Sequence, residues 1–130
     1  MIDKLAWICI KDRKVLGTVS KGKDKFYIPG GKRENYENDI EALIREIKEE
    51  LTVDLDIPTI RYYGAFKAQA DGKPEGTLVK TSCYMSDYNG EIKPDSEIDR
   101  ILWMTSKDMN GASTVVQQIL NDLIERDLID

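Results

Sequence analysis

Gly30–Val53 reads GGKRENYENDIEALIREIKEELTV. Its second half has the period of a helix. Ile40, Leu43, Ile44, Ile47 and Leu51 recur at three- and four-residue steps, an apolar stripe for one face of a helix running from about Asn38 to Leu51. Asn38 or Asp39 can cap its start, and Glu41 adds negative charge to the first turn. Glu46, Glu49 and Glu50 are then helix neighbours beside the stripe, at a spacing where like charges repel. Arg45 is adjacent, and Lys48 points elsewhere. A bound divalent cation would relieve the repulsion, and carboxylate oxygens suit hard cations such as Mg²⁺ or Mn²⁺. Pro29-Gly30-Gly31 leads into this segment, and glycines there permit a close approach of backbone to ligand.

Working outward, the chain alternates strand-like and helical stretches. Leu5–Ile10 reads as a central strand and Val15–Ser20 as its hairpin partner, followed by a short strand at Lys25–Ile28 and a break at Pro29. The central helix ends near Thr52. Beyond it, Ile60–Ala70 is a long strand bent at Gly64, and Thr77–Asp87 is the returning strand. Asn89-Gly90 marks a turn and Glu91–Asp99 a polar loop. Ile101–Met104 is a last strand. A C-terminal helix starts near Ser113 or Thr114, with Val116, Ile119, Leu120, Leu123 and Ile124 as its stripe. Strands on both sides of a central helix imply an α/β fold, a mixed sheet with helices on its faces.

The 130 residues make one domain, large enough to bury a core, and no apolar run approaches a membrane span. Cys9 and Cys83 stand alone in strand-like runs, without metal-site spacing. Reduced, buried cysteines and no recognisable leader make a cytoplasmic protein the expectation. The chain has no histidine, which excludes histidine triads and the common zinc sites. Acid–base chemistry falls to Glu, Asp, Lys, Tyr or a metal-bound water. A net charge of −5 disfavours loose nucleic-acid binding. Residues 1–33 nevertheless hold nine Lys or Arg against three acids, a basic cluster that ends at Lys32 and Arg33. Such lysines protect strand edges, or meet an anionic substrate beside the acidic helix. The sequence leaves the oligomeric state open, a homodimer included.

Gly31, five residues, Glu37, seven residues, then Arg45-Glu46-Ile47-Lys48-Glu49-Glu50-Leu51-Thr52-Val53 resembles the box of the Nudix hydrolases, G-x5-E-x7-R-E-U-x-E-E-x-G-U, with U bulky and aliphatic. Thr52 stands where the box has glycine, which suggests a different exit from the helix. Tyr36 occupies a place where many members carry glycine. The resemblance is to the MutT-like members. It implies a Nudix-type α/β/α sandwich and Mg²⁺- or Mn²⁺-dependent hydrolysis of a diphosphate linkage in a nucleoside diphosphate derivative. The products would be a nucleoside monophosphate, phosphate or pyrophosphate. Carried over by position, Glu46, Glu49, Glu50 and the Gly31 carbonyl are the expected metal ligands. Glu37 and Arg45 are expected to brace the loop and helix, with Arg45 orienting a carboxylate. Glu46 and Glu49 are the candidate general bases, and nothing in the sequence chooses between them.

Some members place a further acid just before the late tryptophan. Leu102 stands there; Glu97 and Asp99 lie in the preceding loop and could substitute, and Glu97 is the one expected here. Gly30, Lys32, Arg33, Tyr27 and Phe66 are the expected substrate contacts, with Tyr84 a further aromatic able to stack on a base. A small nucleotide is the expected partner. The alternatives are a nucleotide-binding module without hydrolysis and removal of a 5′ diphosphate from RNA.

Overall fold

In the computed structural model, which describes residues 1–130, the chain runs β1 (Ile2–Ile8), β2 (Ile10–Lys11), β3 (Lys14–Ser20), β4 (Gly30–Lys32), α1 (Asp39–Leu51), β5 (Asp54–Leu55), β6 (Arg61–Gln69), β7 (Leu78–Met85), β8 (Tyr88–Asn89), β9 (Ile98–Met104) and α2 (Thr114–Glu125). Short 3₁₀ turns at Ile57–Thr59 and Ser106–Gly111 join some of them. The main sheet has the order β4-β1-β7-β6, with β1 parallel to β7 and the other pairs antiparallel. A second sheet, β2-β3-β9, is antiparallel.

Strand β1 explains the layering. Side chains alternate across a strand, and both faces of β1 are covered. Ala6 and Ile8 belong to one core cluster, with Val116, Ile119, Leu120 and Leu123 of α2. Leu5 and Trp7, together with Cys9 just beyond the strand, belong to the other, with Leu43, Ile47 and Leu51 of α1. The mixed sheet is thus sandwiched between the two helices, as the order of elements implies. Each helix starts on a side-chain cap. Asn38 accepts from the Glu41 amide at 2.8 Å while Glu41 reaches back to the Asn38 amide at 3.0 Å, and Ser113 caps α2.

Three local expectations are corrected. The Leu5–Ile10 strand does not form a full hairpin with Val15–Ser20. The chain leaves the main sheet at Cys9, and only Ile10 and Lys11 pair with β3. An apolar run records burial, and β1 is buried between β4 and β7, neither of which is its sequence neighbour. Pro29-Gly30-Gly31 does not simply break the pattern, because Gly30–Lys32 is itself β4, in register with Ala6 to Lys4. Gly30 is obligatory there: a Cβ would collide with the Leu5 backbone, and its φ is +148°. The exit of α1 is not different in kind either. Thr52 adopts the left-handed conformation, φ 63° and ψ 19°, that a glycine would take.

Candidate active site

Strand β4 and helix α1 are joined by a braced turn. Arg45 donates from Nε to Glu37 Oε2 at 2.7 Å and from Nη2 to Glu37 Oε1 at 2.9 Å, a two-point clamp. Glu37 Oε1 also accepts from the Glu34 amide at 2.7 Å, closing the turn. The Arg45 guanidinium and that amide hold the Glu37 carboxyl down at about 2. Arg45 further donates to the Lys32 carbonyl at 3.1 Å and to Glu46 Oε1 at 3.0 Å. One guanidinium therefore ties β4, the turn and the acidic face of α1 together.

Glu50 is the buried acid, 5% exposed. It accepts a hydrogen bond from the Gly30 amide at 2.9 Å. Burial pushes its carboxyl up to about 8, with the neighbouring charges of Glu46 and Glu97 adding to the effect. Glu46 is also raised, by burial first, with Arg45 opposing. Glu97 lines the same cavity as Glu46 and Glu50, and its charge acts on Glu50. Its loop is laid against the end of α1. The Ser96 hydroxyl donates to the Glu49 carbonyl (3.2 Å), the Asp95 amide to the Glu50 carbonyl (2.9 Å), the Lys93 amide to the Leu51 carbonyl (3.0 Å), and the Thr52 hydroxyl to the Glu91 carbonyl (3.1 Å). Four groups at the helix end are satisfied by the segment that carries Glu97.

Gly30, Gly31, Lys32, Tyr27, Glu46, Glu50 and Glu97 all line one cavity of about 490 Å³ on the α2 side of the main sheet. The remaining expected site residues lie outside its walls. Glu49 is half-exposed and turned toward Arg45, at 3.4 Å. Arg33 pairs with Asp39 at 2.5 Å and Asp3 at 3.2 Å. Phe66 stacks on Tyr63, with centroids 6.5 Å apart, and packs on the α2 core. Tyr84 donates to Asp39 at 2.7 Å on the α1 side. As the side chains lie, no three acids converge on one point.

The donor set still fits a hard divalent cation. Glu46, Glu50 and Glu97 supply only carboxylate oxygens, and two of them are held in an environment that disfavours their charge. Gly31 adds a shape argument: a Cβ there would sit 2.6 Å from the Glu46 carboxylate. The missing side chain keeps that carboxylate in place beside the β4 backbone.

The far wall of the cavity was not legible in the sequence beyond the general basic cluster that contains Lys4. Lys4, Thr81, Gln69, Asp71 and the first turn of α2 line it. One signal was available. Lys4 shares the alternation of Ala6 and Ile8, so a lysine on that face of a buried strand points at something other than bulk water.

The NUDIX domain family model matches residues 5–125. Among solved structures, the E. coli ORF135 protein is similar at TM-score 0.76 and 21% identity, over 98% of this chain and 91% of that one. A NUDIX hydrolase from Nitrosomonas europaea gives 0.76 and 17%, over 98% and 90%. The E. coli dihydroneopterin triphosphate pyrophosphohydrolase gives 0.74 and 16%, over 95% of each chain. At these identities the likenesses speak for the fold. Among curated proteins, none matches the chain.

Proposed function

The chain belongs to the NUDIX family, and from that premise we propose that it hydrolyses a diphosphate linkage in a small nucleotide with Mg²⁺ or Mn²⁺. The observation that carries the reading is the gathering of Glu46, Glu50 and Glu97 around one cavity, next to the Gly30–Gly31 backbone. A bound divalent cation would neutralise phosphate oxygens and lower the pKa of a water. Glu46, Glu50 and Glu97, with the Gly31 carbonyl, would hold it. Glu49 joins that set by turning from Arg45, across an exposed 3.4 Å contact of modest strength. The glycines let the phosphate chain approach the backbone. Arg45 keeps the Glu46 carboxylate in position, and Glu37 keeps Arg45 in position. Glu46 or Glu49 accepts the proton of the attacking water. Tyr27, half-buried on the cavity wall, would meet the base or the sugar.

The test is a panel of nucleoside diphosphate derivatives assayed with Mg²⁺ and with Mn²⁺, with products identified. Metal-dependent turnover is expected on at least one, and loss of about a hundredfold or more in Glu49→Gln plus Glu50→Gln. Unchanged turnover in that double variant would remove these residues from the chemistry.

A further inference from the structure

Lys4 lies midway along β1 on the cavity side of the main sheet. It stands directly opposite Lys32 of β4 and beside Thr81 of β7. Side chains directly opposite across a strand pair are close neighbours, and like charges there destabilise the sheet. Two more lysines line the same cavity: Lys23, from the loop after β3, and Lys73, from the loop between β6 and β7. The charges of Lys32, Lys23 and Lys73 all act on Lys4. None of the four is spent elsewhere. The lysines that do engage a protein partner are Lys11 with Tyr88, Lys48 with Asp54 and Lys93 with Glu91.

Glu50 is the acid whose charge acts most on Lys4, without forming an ion pair with it, and Glu46 is tied to Arg45. Asp71, on the far wall, is occupied by the Thr114 amide and hydroxyl at 3.2 and 2.8 Å. The loop carrying Lys73 is itself built. The Gln69 amide donates to the Pro74 carbonyl at 2.9 Å, and its oxygen accepts from the Gly76 amide at 2.9 Å. The cavity is therefore lined both by acids and by lysines that have no ion-pair partner.

We propose that Lys4, with Lys32, Lys23 and Lys73, forms an anion subsite for a phosphate group beyond those engaged at the carboxylate end. The preferred substrates then carry a chain of three phosphates, rather than a diphosphate joined to a neutral group. A lysine ammonium is a compact point charge that suits a terminal phosphate. The third phosphate supplies the anion that four neighbouring cations lack. This rests on the hydrolase reading above for the substrate's identity, while the subsite itself is open to a metal-free test.

Calorimetry with inorganic tripolyphosphate and with pyrophosphate, in chelator and at two salt concentrations, reads the subsite directly. Wild type is expected to bind tripolyphosphate more tightly than pyrophosphate, and more weakly as salt rises. Lys4→Met keeps the apolar stem and should weaken binding about tenfold or more. Lys4→Arg should stay within about threefold, and Lys14→Met, outside the cavity, should match wild type. No binding by wild type, binding by Lys4→Met equal to wild type, or an equal loss in Lys14→Met overturns the subsite. On the substrate panel, Lys4→Met should raise KM for triphosphates at least about threefold more than KM for nucleotide sugars. A panel without any turnover would refute the hydrolase reading, while tripolyphosphate binding that depends on Lys4 would still establish the subsite.

Discussion

Thr52 closes α1 in a conformation that costs an L-residue about 1–2 kcal/mol. The family box has glycine at this place, so the natural perturbation is Thr52→Gly. Three contributions decide its effect. Glycine releases the left-handed strain, a gain of about 1–2 kcal/mol. It loses more backbone entropy on folding, a cost of about 0.5–1 kcal/mol. It also loses the Thr52 hydroxyl bond to the Glu91 carbonyl at 3.1 Å, a further cost of about 0.5–1.5 kcal/mol. The sum runs from about 1 kcal/mol stabilising to about 1.5 kcal/mol destabilising, centred near zero.

Thr52→Ala keeps the strain and loses the bond, so it should destabilise by about 0.5–1.5 kcal/mol. Glycine should therefore exceed alanine in stability by roughly 0.5–1 kcal/mol. Urea unfolding with a shared m-value reads the order directly, and about 1 kcal/mol moves Tm by a few degrees at this chain length. Alanine matching or exceeding glycine would refute the strain argument. Alanine matching threonine would remove the hydroxyl tether. The tether also bears on the site, because Glu91 begins the loop that delivers Glu97. In both variants metal affinity should fall by a few-fold, measured by Mn²⁺ titration.

Arg45→Lys breaks the two-point clamp on Glu37 and the bond to the Lys32 carbonyl; turnover should drop at least tenfold and stability by about 1–3 kcal/mol, read by kinetics and urea melts together. Gly31→Ala puts a methyl 2.6 Å from the Glu46 carboxylate. Near-native circular dichroism with Mn²⁺ affinity reduced about tenfold or more is expected, and unchanged affinity would separate Gly31 from the metal. The Glu50 carboxyl is raised to about 8 by burial, so the folded state binds more protons than the unfolded chain between about pH 4.5 and 8. Its contribution is intact below pH 4.5 and is lost as pH climbs to 8, by on the order of 1–3 kcal/mol. In chelator, wild type should lose stability relative to Glu50→Gln across that window, and parallel pH profiles would contradict the assignment. Burial pushes the thiols of Cys9 and Cys83 up to about 11 and about 12. Native protein at pH 8 should react with a thiol reagent only over hours, and unfolded protein within minutes; fast native labelling would show that these strands open readily.

The residues of Gly30–Val53 carry most of what the sequence alone determines. Period and capping fix α1 to within a residue, because helix geometry is local: 3.6 residues per turn and a side-chain cap three residues away. The acid cluster is legible for the same reason, since neighbours on a helix face are neighbours in sequence. The α2 stripe and the bend at Gly64 are legible too, the latter as a register shift between Tyr62 and Gly64. What the tertiary structure decided is non-local. Strand β1 could pair with any strand of similar burial, and it takes β4 and β7, with β7 arriving more than seventy residues later. That choice sets Lys4 opposite Lys32 and assembles the far wall of the cavity. Phe66, on β6, packs partly buried against the α2 core beside Tyr63. The position of Glu97 depends on loop carbonyl and hydroxyl pairings with the end of α1, which follow no periodicity. The acids were readable as a site because one helix carries most of them; the basic cluster was readable as a composition bias, but which lysines share the cavity was not, because four separate segments must first be folded together.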